Sequence, residues 1–281
     1  MSEALPCKSC GQAVDGLYCT ACGEKVLTPD DHTLKHYLGA LLNAFTFADG
    51  KFWNTLKAVV LRPGELSKAY MEGRRVRYMR PVGFFFLANF IYFTVPLFET
   101  FNSSLSTQLS SQNYSTWARQ KVEAQLTGND ITMEEFAARY EPASTNNAKL
   151  LLVAMVFLLV VPLALLYLRK SSYASAYVTA AFELMAFHLW VSTLLLGLIT
   201  FGVVELMRSV QVPVEPLSVD AVLFVPFVLL HLWVTLGLSR RFFGCSWGGS
   251  LWRTVLMYFG LALALTTYRL LLFLFTFWQV S

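Results

Sequence analysis

Apolar residues are distributed along this chain in three regimes. The first 33 residues contain no apolar run. From Leu34 the apolar positions recur as Leu34, Tyr37, Leu38, Leu41, Leu42 and Phe45, which is the spacing of one face of a helix. Thr28-Pro29-Asp30-Asp31 supplies a start for that helix, and Asp49-Gly50 breaks it. A second stripe, Phe52, Trp53, Leu56, Val59 and Val60, ends at Arg62-Pro63-Gly64. Such stripes either lie in a membrane interface or pack on a bundle. Pro63-Gly64-Glu65 opens a third short helix that Gly73 can terminate. From residue 82 onward long uninterrupted runs take over.

Five of these runs reach or approach the length of a bilayer crossing, which takes about 20 apolar residues. They are Val82–Phe98, Leu150–Leu168, Tyr177–Val204, Val219–Leu238 and Thr254–Trp278. The predicted fold is therefore an all-α polytopic membrane protein with five transmembrane helices, preceded by a small N-terminal module. Residues 1–27 form that module, 28–81 the amphipathic and juxtamembrane helices, and 82–281 the five-span domain with an extracytoplasmic loop at 99–149. Within that loop, 113–126 and 132–140 have weak helical character, and Thr132 with Glu135 has the spacing of a capping box.

Charge orients the spans. The segment 56–81 holds seven basic and two acidic residues, whereas 99–149 holds four basic and six acidic. Arg169-Lys170 lacks a nearby acid, 205–220 is acidic on balance, and Arg240, Arg241 and Arg253 are basic again. Basic loops stay on the cytoplasmic side, so the pattern predicts a cytoplasmic N-terminus and an extracytoplasmic C-terminus. Composition agrees: 56% of residues are hydrophobic and 14% charged, where soluble chains carry about 25% charged.

Four of the five cysteines fall in the first 22 residues, as Cys7-Lys-Ser-Cys10-Gly and Cys19-Thr-Ala-Cys22-Gly. Each pair sits on a tight turn whose following glycine accepts positive φ. Four thiolates make a closed tetrahedral site with no open position for water, the pattern of a structural Zn²⁺ ribbon. No secretory signal precedes the module, and a reducing compartment favours metal over disulfides. The module lacks a basic face, which excludes nucleic acid as a partner. A protein partner of the ribbon is the expectation. His32 and His36 share a helix face without an evident third metal ligand.

Arg74, Arg75, Arg77 and Arg80 form a collar just before the first span. Such a cluster attracts anionic membrane lipids, at about 1 kcal/mol per basic residue; it equally serves as a topology signal. Here the chain resembles a known family. The CxxCG…YCxxCG ribbon, Thr55-Leu56, Arg62-Pro63-Gly64, Tyr70, Gly73-Arg74-Arg75, Tyr78 and Pro81 are similar to the bacterial zinc-ribbon membrane proteins of the domain-of-unknown-function 3667 family. The resemblance implies the architecture and a bacterial inner (cytoplasmic) membrane, with no activity attached.

Ionisable residues inside spans are candidate functional groups. They are Glu183, His188, His231 and Arg269. At about 1.5 Å per residue, Glu183 and His231 come to similar depths and are expected to meet. Such a pair serves as a proton relay, a metal ligand pair or a lipid contact, or simply as an interhelical hydrogen bond. Arg269 lies toward the outer side, within expected reach of Glu205. No GxSxG, HExxH or paired catalytic aspartates occur, so no catalytic residue is assigned. The expected function is an interaction or scaffold protein of the membrane; the alternative is a small transporter or lipid-handling protein using Glu183, His188 and His231.

Overall fold

The computed structural model describes residues 5–7, 10–14, 16, 18–21, 50–74, 76–94, 101–171, 173–210 and 216–281. Cys22, Arg75, His32, His36 and the predicted helix over 28–49 lie outside the described residues. The chain forms two compact units, Met1–Trp53 and Asn54–Ser281. The segment from residue 54 to 81 therefore clusters with the long helices.

In the first unit, β1 (Leu5–Pro6) and β2 (Ala13–Val14) pair antiparallel, with Leu5 opposite Val14 and Pro6 opposite Ala13. The turn between them closes because the Gly11 N–H donates to the Cys7 carbonyl at 2.8 Å. Gly11 takes φ 75°, which a residue with a Cβ rarely adopts. Among the described residues of this hairpin, Cys7, Val14 and Cys19 are buried together.

The second unit is helical. Helix α1 (Gly50–Leu61) buries Thr55, Ala58 and Val59, while Trp53 stays exposed. Helix α2 (Glu65–Met71) ends as the sequence predicts. Gly73 takes φ 82°, its N–H reaches the Tyr70 carbonyl, and the Arg74 N–H reaches that of Ala69. That pair of bonds is a Schellman ending, which satisfies carbonyls the helix itself leaves open. Helix α3 (Pro81–Thr94) follows. Its 14 residues span roughly 21 Å, short of a hydrocarbon core of about 30 Å. The rest of the predicted first span, beyond Thr94, lies outside the described residues.

Helices α4 (Leu105–Ser110) and α5 (Ser115–Asn129) fold the long polar loop into a cap. Helix α6 (Met133–Tyr167) then runs unbroken for 35 residues. The weakly helical stretch at 132–140 is thus not a separate element; it is the first part of the helix that contains the predicted span 150–168. Thr132 and Glu135 make the predicted capping box: each side-chain oxygen accepts the other residue's backbone N–H, at 3.0 and 3.2 Å. Helix α7 covers Ala174–Ser209, with π-helical backbone from His188 to Leu195. Helix α8 (Pro216–Gly237) passes into a π-helical turn, Leu238–Phe242, and helix α9 (Trp247–Val280) completes the chain.

Among the described residues three helices, α6, α7 and α9, are long and apolar enough to cross a membrane. With 35 and 34 residues, α6 and α9 each run roughly 50 Å, about 20 Å more than a hydrocarbon core needs. They pack antiparallel along their length. Arg253 Nε donates to the Leu166 carbonyl at 2.9 Å, Gly260 faces the ring of Pro162, and Asn147 Nδ2 donates to Thr276 Oγ1 at 3.1 Å. A Cβ on Gly260 would lie 2.8 Å from the Pro162 Cβ, so glycine permits this crossing. The excess length of both helices lies at one end, where α4 and α5 pack against it around Leu105, Ala118, Val122, Phe136, Tyr140 and Phe273. Each such large apolar side chain contributes roughly 1.5–3 kcal/mol when fully buried from water.

The basic segments gather at the opposite end. Phe243 stacks on Tyr167 with centroids 4.0 Å apart, Tyr177 donates to the Tyr167 carbonyl at 3.0 Å, and Arg241 reaches the Pro63 carbonyl at 3.2 Å. The bundle thus has one basic end and one capped end.

Candidate functional site

The cysteine turn brings three sulfurs together. The Sγ atoms of Cys7, Cys10 and Cys19 all lie within 4.8 Å of one another, and Cys10 to Cys19 is 3.6 Å. A tetrahedral ion with about 2.3 Å bonds to sulfur separates its ligands by about 3.8 Å, so these three can hold a metal ion. Cys22, the expected fourth ligand, lies outside the described residues.

The collar separates into individual roles. Arg74 is held by Glu72 at 2.7 Å and Glu65 at 3.2 Å, both exposed pairs. Arg77 leans over the Tyr78 ring at 5.6 Å, and Arg80 is exposed. Arg75 lies outside the described residues.

Glu183 does not meet His231. It is fully buried in α7, and its carboxylate receives the start of α2. The Gly64 N–H donates to Oε1 at 2.7 Å, the Ser67 N–H to Oε2 at 2.7 Å, and the Ser67 hydroxyl also donates to Oε2. The first N–H groups of a helix lack partners within it, and a negative charge is favoured there. Helix α2 has no side-chain cap of its own, because Gly64 occupies the cap position. A carboxylate from another helix supplies what the local sequence omits. Ser or Asp is the usual residue at such a start; its absence from Arg62-Pro63-Gly64-Glu65 is the signal by which Glu183's partner was detectable.

Glycine makes the approach possible. Gly64 has φ 88°, and a Cβ there would lie 2.9 Å from the Gly237 carbonyl oxygen. A Cβ on Gly237 would lie 2.7 Å from the Pro63 Cβ. Trp233 Nε1 donates to the Val60 carbonyl at 2.9 Å, which holds the preceding turn as well. Pro63-Gly64 is therefore clamped between α7 and the end of α8.

His231 instead meets His188. His188 Nε2 lies 3.1 Å from His231 Nδ1, and the rings stack at 5.2 Å between centroids. His188 Nδ1 lies 3.1 Å from Ser192 Oγ, within the π-helical segment. Phe227 stacks on His188 at 5.4 Å, and Tyr258 meets His231 edge-on at 5.9 Å. Both imidazoles are buried. Arg269 is half-buried near the cap, where its carbonyl accepts from Gln108 at 3.4 Å. Glu205 pairs with Arg208 at 2.7 Å and not with Arg269.

Among the described residues three apolar helices are of membrane-crossing length, the composition of a helical membrane protein. Residues 49–93, covering α1, α2 and most of α3, match the model of a family described as protein of unknown function (DUF3667). No curated protein and no solved structure matches the chain.

Proposed function

We propose that the protein is a multi-pass anchor of the bacterial cytoplasmic membrane whose zinc ribbon binds a protein partner on the cytoplasmic side. The observation that carries this reading is the cluster of Cys7, Cys10 and Cys19 on a hairpin whose core, among the described residues, otherwise holds Val14. So small a core stands only with a ligand at its centre, and thiolates coordinate Zn²⁺ well. Cys22 is the fourth ligand in this reading. When bound, the ion supplies folding energy and no reaction chemistry, since four thiolates leave it no open position.

In the same reading α3, α6, α7, α8 and α9 are five spans, with the N-terminus cytoplasmic and the C-terminus extracytoplasmic. The gathering of the basic turns at one end supports that orientation. Thiol labelling of single cysteines placed at 171 and at 128 tests it: only the latter should react from outside.

The ribbon is tested by metal analysis and recovery of partners from membranes. The full chain should carry one zinc, and Cys7→Ser with Cys10→Ser should lose both the zinc and the copurifying protein while the helical unit keeps its melting temperature. Unchanged copurifying proteins in a folded variant would remove the ribbon from the partner-binding role.

A second reading rests on a different observation, the buried His188–His231–Ser192 chain in π-helical backbone. Such backbone is frequent at functional sites, and paired imidazoles suit a small transporter or lipid-handling protein. Glu183 enters that reading only by holding α2 against α7. Replacing both histidines by Gln and measuring flux or lipid binding tests it; unaltered function would eliminate it.

A further inference from the structure

A second basic site lies apart from the collar, at the junction of α8 and α9. A cavity of about 340 Å³ is lined by Trp233, Leu236, Gly237, Arg240, Arg241 and Trp247. Two of these residues are cationic and none is acidic. The carboxylates of the adjoining segment are engaged elsewhere, Glu65 with Arg74 and Glu183 with Gly64 and Ser67. Among the described residues neither Arg240 nor Arg241 has an ion pair.

The walls are held in place. Arg241 gives one Nη1 bond to the Pro63 carbonyl, Trp233 gives its indole N–H to Val60, and Gly237 is pressed against Pro63. The Arg240 guanidinium lies 3.9 Å from the centroid of the Trp247 ring. A guanidinium stacked on an indole keeps its in-plane N–H edges available, and those edges match two phosphate oxygens at once. The cavity is also two-sided. Trp233 precedes Arg240 by seven residues, so its wall extends roughly 10 Å along α8 away from the charges. Trp233 and Leu236 are apolar surface on that side, and indoles favour the boundary between headgroups and hydrocarbon.

We propose that Arg240 and Arg241, with Trp233 and Trp247, form a binding site for the phosphate of an anionic phospholipid, whose chains lie along the apolar wall of α8. This inference rests on the membrane placement of α8 and α9 and is independent of the ribbon. A phosphate matches the guanidinium edges, and only a lipid also occupies the Trp233–Leu236 wall.

The test uses the full chain, delipidated in neutral detergent and titrated separately with phosphatidylglycerol, phosphatidylcholine and inorganic phosphate. Thermal shift reads binding, and native mass spectrometry reads lipid adducts. Phosphatidylglycerol should bind at least tenfold more tightly than phosphatidylcholine. Arg240→Gln should weaken phosphatidylglycerol about tenfold, and Lys121→Gln, on exposed surface of α5 at the capped end, should leave it within twofold. Wild-type affinity in Arg240→Gln overturns the site. Inorganic phosphate binding as tightly as phosphatidylglycerol overturns the lipid assignment. Arg240 makes only its ring contact, so the Gln variant should fold. If it does not, Arg240→Lys decides: a severalfold loss supports the planar two-point contact, and unchanged affinity overturns it. Zinc content stays the same in every arm, which separates failure here from failure of the ribbon reading.

Discussion

In the cysteine hairpin, burial among the described residues amounts to Cys7, Val14 and Cys19. In the helical unit, whole rings such as Tyr140, Tyr167, Tyr268, Phe84 and Phe273 are closed off from solvent. Both regions nevertheless place a polar centre inside. The hairpin aims three sulfurs at one point. The helical unit aims two backbone N–H groups and a hydroxyl at the Glu183 carboxylate. The difference is where the complement comes from. A hairpin this short has little else to offer its thiolates, and its three sulfurs are placed so that they can hold a metal ion. The larger unit brings the complement from 116 residues away in its own sequence, because α7 already passes that point.

The comparison breaks most visibly if the ion is removed. Chelation, or Cys7→Ser with Cys10→Ser, should abolish on the order of 10 kcal/mol of metal-linked folding in the hairpin. Limited proteolysis should then cut within residues 1–53 while the thermal transition of the helical unit stays in place. A shift of that transition would mean the two units are not energetically separate. Glu183→Ala should act in the opposite sense, sparing the hairpin and destabilising the bundle by about 3 kcal/mol, because buried donors lose their acceptor. Glu183→Gln should cost less, since an amide oxygen still accepts. An unchanged melting temperature in detergent for the alanine variant would refute the role of Glu183 as cap of α2.

Gly237→Ala sharpens the same point without touching any charge. The new methyl would overlap Pro63, and forcing the clamp apart should cost about 1–3 kcal/mol. If thermal unfolding shows no loss, the close approach of Pro63-Gly64 to α8 is not required. The smallest effect is expected at the far end, where Thr132→Ala removes one half of the capping box. A loss of about 1 kcal/mol is expected there. Hydrogen exchange should rise at the first turn of α6 only; a change reaching Leu163 would show that the cap and the membrane-length part unfold together.

Local signals were readable residue by residue. Gly11 and Gly73 each sit where a turn needs positive φ, and both adopt it. Thr132 and Glu135 stand three apart at a helix start and cap it. Long apolar runs became long helices, because an unbroken run without glycine or proline pairs leaves the backbone no competing structure. The ends were less legible. The helix containing 150–168 begins at Met133, since polar residues continue a helix as readily as apolar ones once a cap has started it. The partner of His231 was misread for a related reason. Depth was counted from a span end at Leu238, whereas the helix continues through a π turn to Phe242, which sets His231 deeper from its inner end than the count assumed. That shift brings His188, not Glu183, opposite His231.

What the amino-acid sequence determined by itself was what neighbours along the chain carry: the first cysteine turn, the glycine end of α2, the capping box of α6, the apolar runs and the basic collar. Only the tertiary structure decided which polar groups meet. Glu183 finds the uncapped start of α2, the two histidines find each other, and Arg240 and Arg241 gather beside two indoles. A buried polar group must find a partner, but its own sequence neighbourhood names only the need. The partner is selected by which helices pass within hydrogen-bonding distance, and that is settled by packing across the whole bundle.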